Sequence, residues 1–549
     1  VSAIELSVSP GHGPVVWIFC GLYLLVLGVL SVYGFHRSYL VVKCAQLRDR
    51  LRAMKSPPPP LAVARNGANG IAEAGGASAA LPLVTIQLPL YNEANVAARL
   101  LDHVAAIEYP RDRLEVQVLD DSTDETSELL APIIARLRAN GLDIVHLRRT
   151  DRAGYKAGAL DAGLKVAKGE LIAMFDADFL PAPDFLARVV PHFADPRIGM
   201  VQGRWTYLNR DESFYTRAGA LMLDGHHVVE NRVRAAAGWM FNFAGTGGIW
   251  RRKAIEEGGG WQHDTLTEDL DLSYRAQLAG WKFVYREDVA IPSELPDDVL
   301  AFRVQQFRWA KGTVQTRRKL LGSLLRAPIP FGAKAEAFFH LTPHIAYPLT
   351  MLLSVLLLPV VLVTSHFSFW TLLLLDLPLF LGTTGSLAAF YALSQSHQGR
   401  RAWDGIKDVP AVLVSGVGLT PLLTRALVEG QRSVAGEFVR TPKKGSMGAK
   451  RYAVGSAPFP RAELLLGAVS SASVVGCLLC HHYFALPFAL MFAVGYLRMA
   501  VSLLRVRTHR PTADIAPAVT VEPPPAALPS AAPRRRHPAD TDSPRLPAA

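Results

Sequence analysis

Asp176 and Asp178 end the apolar run 171–175 as an Asp-x-Asp pair. A run of strand length that stops in two carboxylates spaced i, i+2 is how an open α/β sheet delivers acids to its ligand edge. Hard cations such as Mg2+ or Mn2+ prefer oxygen ligands and bind through one or two carboxylates plus a substrate's phosphates. The expected guest is therefore a metal-bound pyrophosphate, with Asp178 as metal ligand and Asp176 positioning the nucleotide that carries it. Taken alone, two acids after a strand are more often a solvated turn. Here they keep company with Asp120-Asp121-Ser122, Thr267-Glu268-Asp269 and Gln305-Gln306-Phe307-Arg308-Trp309, all within one compact segment.

A sugar nucleotide answers this description. It offers a pyrophosphate leaving group, whose developing charge a cation stabilises, and an anomeric carbon open to attack by an acceptor hydroxyl. Glu268 and Asp269 precede a helical run over 270–278. Acids there also serve as plain caps, but beside the other carboxylates Asp269 is the expected general base. Arg308 supplies a charge-assisted fork for phosphate, Gln305 a neutral amide and Trp309 a flat apolar face for a sugar ring. An Arg/Trp pair just before a membrane segment equally describes an interfacial anchor. His226, His227 and Glu230 mimic a metal set, yet adjacent histidines point to different helix sectors, so a polar channel lining or plain surface is expected. Cys477-x-x-Cys480 lies in an apolar helix without a second pair and is expected to pack.

These groups need a sheet to hold them. Strand-like runs at 81–90, 114–119, 143–147, 171–175 and 199–207 alternate with helical stretches near 95–106, 125–138, 156–166 and 184–193. The pattern predicts a mostly parallel sheet with helices on both faces and ligands outside the carboxyl ends of the strands. Asn92 and Glu93, Asp120 and Asp121, and Asp176 and Asp178 fall at such ends. Three strands thus put polar pairs on one rim.

The rest of the 549 residues points to lipid: half of the chain is hydrophobic and the mean hydropathy is positive. The net charge of +11 resides beside apolar segments and in the tail, which suits membrane orientation and not nucleic acid. At about 1.5 Å per residue, 15–35 is long enough to cross roughly 30 Å of hydrocarbon. Arg37, Lys43, Arg48 and their neighbours follow it, which puts the N-terminus outside and residues 41–336 in the cytosol. The segments 345–363 and 369–393 form one expected hairpin, and 464–479 with 483–504 a second, giving five crossings with the C-terminus inside. Residues 409–423 are short and broken by Pro410 and Pro421. A crossing there would leave Arg440, Lys443 and Lys444 outside, so an interfacial or re-entrant segment is expected. The predicted organisation is an anchor (1–40), a basic and Pro/Gly/Ala-rich linker (41–80), a catalytic domain (81–336), a hairpin (337–395), a cytosolic or interfacial segment (396–460), a hairpin (461–508) and a disordered tail (509–549). Asp376 lies near the outer end of its span, as a lining of a polymer path or a shallow interfacial acid.

Leu88-Pro89-Leu90-Tyr91-Asn92-Glu93, Asp120-Asp121-Ser122-Thr123-Asp124, Gly154-Tyr155-Lys156-Ala157-Gly158-Ala159-Leu160, Asp176-Ala177-Asp178, Thr267-Glu268-Asp269 and Gln305-x-x-Arg308-Trp309 occur in order between about 83 and 320. Together they resemble family 2 glycosyltransferases of the cellulose synthase superfamily, nearest to the plant cellulose-synthase-like A and C groups that make mannan, glucomannan or β-glucan backbones. The resemblance implies an α/β GT-A-type cytosolic domain joined to a transmembrane helical region. It implies that Tyr91, Glu93 and Asp120 hold the nucleoside, that Lys156 and Asp176 lie at the donor with Gln305 and Arg308, and that Asp178 binds Mg2+ or Mn2+. It makes Asp269 the base and puts Gly245, Thr246, Glu268 and Trp309 on the acceptor side. Phe243-Ala244-Gly245-Thr246 stands where the superfamily has Phe-Cys-Gly-Ser or Asn-Gly-Thr, so the usual Cys is absent.

The expected protein is a multi-pass inner-membrane, Golgi or plasma-membrane enzyme. It adds hexose from UDP-glucose or GDP-mannose to a β-linked polysaccharide, with inversion and in processive fashion. Its partners are the donor, the polysaccharide acceptor and membrane lipid, with any export or periplasmic subunit unspecified. Transfer of a single sugar to a lipid is the alternative enzyme. A non-catalytic polysaccharide-export subunit is the alternative of another class.

Overall fold

The computed structural model describes residues 14–54, 81–365, 370, 377, 380–432, 445 and 457–508. Most of the expected linker, the expected tail, Asp376 and much of 433–456 lie outside the described residues. Seven strands, β1 (Val84–Leu90), β2 (Leu114–Asp120), β3 (Asp143–Arg148), β4 (Leu171–Met174), β5 (Ile198–Tyr207), β6 (Gly248–Arg251) and β7 (Lys282–Ser293), form one sheet in the order β3-β2-β1-β4-β6-β5-β7. All pairings are parallel except those of β6, which runs antiparallel to β4 and β5. Period-2 alternation sorts side chains onto two cores. Leu171 and Ala173 of β4 join Val84, Ile86 and Leu88 on one face, while Ile172 and Met174 join Leu160 and Trp250 on the other.

The helices that matter here are α1 (Pro14–Gln46), α2 (Ala97–Ala105), α3 (Thr126–Ala139), α4 (Tyr155–Val166), α5 (Phe214–Asp224), α6 (Arg232–Ala237), α7 (Glu268–Leu278), α8 (Val299–Arg326), α9 (Phe331–Leu341), α10 (Ala346–Val363), α11 (Ser386–His397), α12 (Ala402–Arg432), α13 (Arg461–Leu479) and α14 (Leu486–Thr508). A π-helical turn, Gly225–Asn231, joins α5 to α6. The expected helix over 184–193 is instead two short turns, Phe185–Val189 and Val190–Ala194. Pro191 lacks the amide that would carry the first into the second.

Five described helices are long and apolar enough to cross a membrane: Ile18–Gln46, Pro343–Val363, Ala402–Arg432, Arg461–Leu479 and Leu486–Thr508. The third differs from the sequence expectation. Residues 409–423 belong to α12, one continuous 31-residue helix with Pro410 and Pro421 inside it. Each proline removes a single amide donor, and α12 packs along α5, α8, α10 and α11, so tertiary contact carries the helix through both. Both ends of α12 meet the sheet domain and its α8. Gln398, just before it, accepts from Arg204 at 3.0 Å; Glu429 pairs with Lys311 at 3.1 Å; the Gln431 carbonyl accepts from Arg318 at 2.6 Å. Cys477 is buried in the apolar bundle and all four cysteines are free. Inside the bundle lies a cavity of about 310 Å³ lined by Tyr23, Tyr33, Tyr347, Tyr391 and Phe488 among others.

Helix α4 reaches the sheet through Gly163, where an added Cβ would sit 2.6 Å from Gln87 Nε2 and 2.8 Å from Leu119 Cδ2. Gly163→Ala is expected to destabilise the protein by about 1–3 kcal/mol through overpacking, read as a fall in Tm of the purified chain.

Candidate active site

The carboxyl ends of β1, β2, β4 and β7, the start of α7 and one face of α8 surround a cleft with about 1180 Å³ of empty space. Tyr91, Glu93, Lys156, Asp176, Asp178, Gly245, Glu268, Asp269, Gln305, Arg308 and Trp309 line it, whereas Asp120 and Thr246 do not. Gln305, Arg308 and Trp309 share a face because positions i, i+3 and i+4 of a helix do.

Asp120 is turned into the protein. Its carboxylate accepts from the Ser122 amide at 2.9 Å and the Ser127 hydroxyl at 2.5 Å, and lies 2.9 Å from His146 Nε2. Burial pushes this carboxyl up, but these hydrogen bonds outweigh burial and hold it well below the usual range. The neighbouring Asp121 faces the cleft instead, clamped by both arms of Arg149. The two rim turns are laced together. The Asn92 amide donates to Ser122 Oγ at 2.9 Å and the Thr123 amide to Asn92 Oδ1 at 2.8 Å, with Asn92 at φ 56. Thr246 is fully buried, and its hydroxyl accepts the Asp176 amide at 2.8 Å. It shapes the Asp176 turn from beneath.

Lys156 occupies the first turn of α4, which the chain enters through Gly154 at φ +71. Its Nζ donates to Asp176 Oδ1 at 2.5 Å and to the Gly245 carbonyl at 2.9 Å, and stands 4.0 Å from Glu268. Burial alone would lower the ammonium's pKa, but Asp176, Glu268 and Asp269 raise it. Burial, then the adjacent Glu268 carboxylate, push Asp269 up to about 7, against the pull of Lys156, the Leu270 amide and Arg308. Gly245, at φ +83, crosses so close that an added Cβ would lie 2.9 Å from Asp269 Oδ2. Thr267 caps α7 without a side-chain cap bond. Instead Gly312 of α8 lets Thr267 approach, the Leu266 amide donates to Gln315 at 2.9 Å, and Thr267 and Thr316 hydroxyls meet at 3.3 Å.

Asp178 is 5% exposed, and its Oδ2 accepts the Glu294 amide at 3.2 Å. Among the described residues no three His, Cys, Asp or Glu side chains group to hold a metal by themselves. That donor set fits Mg2+ or Mn2+, which retain water and phosphate oxygens as most of their ligands, and does not fit a protein-caged ion. His226 binds Glu230 and Asn231, while His227 is buried against Trp205; neither lines the cleft.

Sequence reasoning put Asp121 on the rim without a role of its own and missed Arg152, Trp205 and the stretch from Ser293 to Leu295, all in the lining. The Arg152 guanidinium lies 3.3 Å from the centroid of the Tyr91 ring. Its place two residues before Gly154 in a basic turn was the available signal. Trp205 and Ser293 lie near the ends of paired strands, one of them unforeseen.

Residues 82–312 match the family model described as glycosyltransferase like family 2. Glucomannan 4-beta-mannosyltransferase 1 of Oryza sativa subsp. japonica is 45% identical over 256 residues, 45% of this chain and 49% of that protein. Glucomannan 4-beta-mannosyltransferase 7 of Arabidopsis thaliana is 38% identical over 336 residues, 58% of this chain and 60% of that protein. The chain thus spans about half the length of the curated relatives it matches. A solved structure, mannosyltransferase PcManGT from Pyrobaculum calidifontis in complex with GDP-Man and Mn2+, overlays 74% of this chain and 99% of that chain at 24% identity and a TM-score of 0.48.

Lys156→Met removes the cation that pulls the Asp269 pKa down, so that folded-state pKa rises further above its ordinary value. Stability is then lost as pH rises through it, so the variant's Tm deficit is expected to be larger at pH 8 than at pH 5.5, measured by thermal unfolding at both.

Proposed function

We propose that this chain, whose residues 82–312 are a family 2 glycosyltransferase domain, transfers hexose from a nucleotide sugar to a growing β-linked polysaccharide in a membrane. The observation that carries the reading is the convergence of ionisable groups from separate segments, Glu93, Lys156, Asp176, Asp178, Asp269 and Arg308, around one cleft beside a helical bundle. The names of its relatives favour mannose as the transferred sugar; of the two donors expected from the sequence, that selects GDP-mannose, with UDP-glucose as the competing donor.

In this reading Asp269 takes the proton of the acceptor hydroxyl while that oxygen bonds to the anomeric carbon. The bond from carbon to the diphosphate oxygen breaks, and its electron pair leaves with the nucleoside diphosphate, inverting the centre in one displacement. A pKa near 7 suits a base at neutral pH, since it is ionised when needed yet basic enough to accept. Lys156 and Arg308 face the leaving charge, Gln305 holds the donor through its amide, and Trp309 offers its ring to the acceptor sugar. Asp178, with the donor's own phosphates, would hold Mg2+ or Mn2+, which when bound supplies positive charge to the departing diphosphate. Nucleoside contacts fall to Tyr91, Glu93 and Asp121, with Asp120 fixing the turn behind them.

The contacts at both ends of α12 support an interfacial helix that starts and ends on the domain's side of the bilayer. Crossings by α1 and α10, a return over 369–393 as the sequence alone leads one to expect, and crossings by α13 and α14 then leave the domain on one side, with the basic residues after α1 marking the cytosol. Met222 lines the bundle cavity and Leu223 the cleft, so the polymer's way out lies one residue's width from where it is made.

The test uses the full chain in lipid with radiolabelled GDP-mannose and UDP-glucose in turn, followed by linkage-specific glycanases. The expected product is a polymer cut by β-mannanase; a single labelled residue extracted with lipid would favour the lipid-acceptor alternative. Chelation of divalent cations is expected to stop transfer and Mn2+ or Mg2+ to restore it. Asp269→Asn is expected to cut kcat by about 10²- to 10⁴-fold with nucleotide affinity retained; wild-type rates in that variant would end the proposal. Because only ionised Asp269 accepts a proton, the wild-type rate should fall as pH drops below about 7.

A further inference from the structure

A polar cluster outside the cleft joins the first membrane helix to the helix that bears Asp269, and α9 is its hub. On one side His36 of α1 meets Glu336, Nε2 to Oε2 at 2.7 Å, and stacks on Phe339 with ring centroids 4.1 Å apart. Tyr33 of α1 donates to Thr342 just beyond α9 at 2.9 Å. On the other side the second oxygen of Glu336 accepts from Arg234 Nε at 2.8 Å, and Arg234 lies 3.3 Å from Glu230. One turn on, His340 Nδ1 is 2.8 Å from the Tyr274 hydroxyl of α7. The Glu336 and Arg234 side chains are each 2% exposed and Tyr274 is fully buried. Apolar packing follows the same route, since Leu270 and Tyr274 of α7, Leu320 and Leu324 of α8, and Ala337 and Leu341 of α9 form one cluster.

None of these polar groups lines the cleft, and the proposed reaction uses none of them. An ion pair buried to this degree is weak evidence for stability, because apolar residues of similar volume commonly do as well. Its placement suggests another role. Asp269 and Tyr274 lie five positions apart on one 11-residue helix, so a shift at Tyr274 is passed to Asp269 almost undiminished.

We propose that Glu336 is a positioning residue: by holding α9 against both α1 and α6 it sets, through His340 and Tyr274, where α7 presents Asp269 to the acceptor. The anchor helix is then part of the catalytic apparatus as well as a tether. This rests on the reading of Asp269 as the base.

The test compares wild type, Glu336→Gln, His36→Gln, Tyr274→Phe and the Glu336→Gln/Tyr274→Phe pair as full chains in lipid nanodiscs, scoring transfer from GDP-mannose and, separately, GDP binding. Displacement of the base is expected to lower kcat by about 10- to 100-fold, with KM for the donor and GDP affinity within about twofold, and the double variant no worse than its weaker parent. Wild-type kcat in a Glu336→Gln variant that binds GDP normally overturns the inference, as does a double variant whose losses multiply. Should Glu336→Gln lose GDP binding through misfolding, Tyr274→Phe and His36→Gln decide, and unchanged kcat in both overturns it. A wild-type chain that transfers no sugar strikes the premise instead, and is distinguished by that.

Discussion

Like charges in a cleft partly screened from water repel, and Asp176, Asp178, Glu268 and Asp269 all face this one. Pairs a few ångströms apart cost several kcal/mol at the dielectric of a protein surface, about 4 kcal/mol at 4 Å. Lys156 is the residue that makes the arrangement tenable. Its ammonium is shared between the Asp176 carboxylate and the Gly245 carbonyl, which ties the loop beneath Asp269 to the loop after β4. The amides at the start of α7 add fixed positive charge at Glu268 and Asp269. Burial first, and then the like charge they leave uncompensated, push the Asp269 carboxyl up to about 7, so the setting that threatens the fold also leaves a carboxyl able to exchange a proton near neutral pH.

Helix α8 carries the site into the bundle. Its cleft face supplies Gln305, Arg308 and Trp309, while Gly312, Gln315 and Thr316 seat the turn before α7. Elsewhere on the same helix Arg303 pairs with Glu463 of α13 at 3.0 Å and Lys311 with Glu429 of α12. With side chains only 10% and 6% exposed, the Arg303–Glu463 pair is geometrically demanding, since losing either partner strands a buried charge. The cleft residues Gln305, Arg308 and Trp309, the turn before α7 and the apolar helices α12 and α13 therefore share one rigid element, and a shift in any would be felt by the others.

The parts of the fold most legible from sequence were those with strong period. Residues 81–90, 114–119 and 171–175 announced themselves as buried runs ending in polar pairs, and the carboxyl ends of the strands found there do form the rim. Two strands gave no such signal: β6 is four residues long, and β7 carries Arg286, Glu287 and Asp288 mid-strand. Those charges are tolerated because Arg286 binds Asp288 through two nitrogens and His192 through a third, contacts that no local pattern announces. At the site, residue type with strand-end position for Asp176 and Asp178, and with helix-start position for Asp269, pointed to side chains that line the cleft, but could not tell Asp120 from Asp121. Which of two adjacent acids turns outward depends on Ser122, Ser127 and His146 on one side and Arg149 on the other, a choice made by tertiary neighbours. Pro410 and Pro421 misled for the mirror-image reason, local chemistry overridden by packing.

The charge balance of the cleft also bears on how a donor enters. Facing Glu93, Asp176, Asp178, Glu268 and Asp269 are Lys156, Arg152 and Arg308. Asp121 is already matched by Arg149, and Glu294 by Arg99 at 2.6 Å. A diphosphate arriving alone would add negative charge to a site with no positive surplus. One accompanied by a divalent cation would add little net charge, and would place positive charge beside Asp178, which is only 5% exposed. Since the described residues provide no cage of acids for the ion, its remaining ligands must come from phosphate and water. Cation and nucleotide sugar are then best regarded as a single ligand, each completing the site for the other.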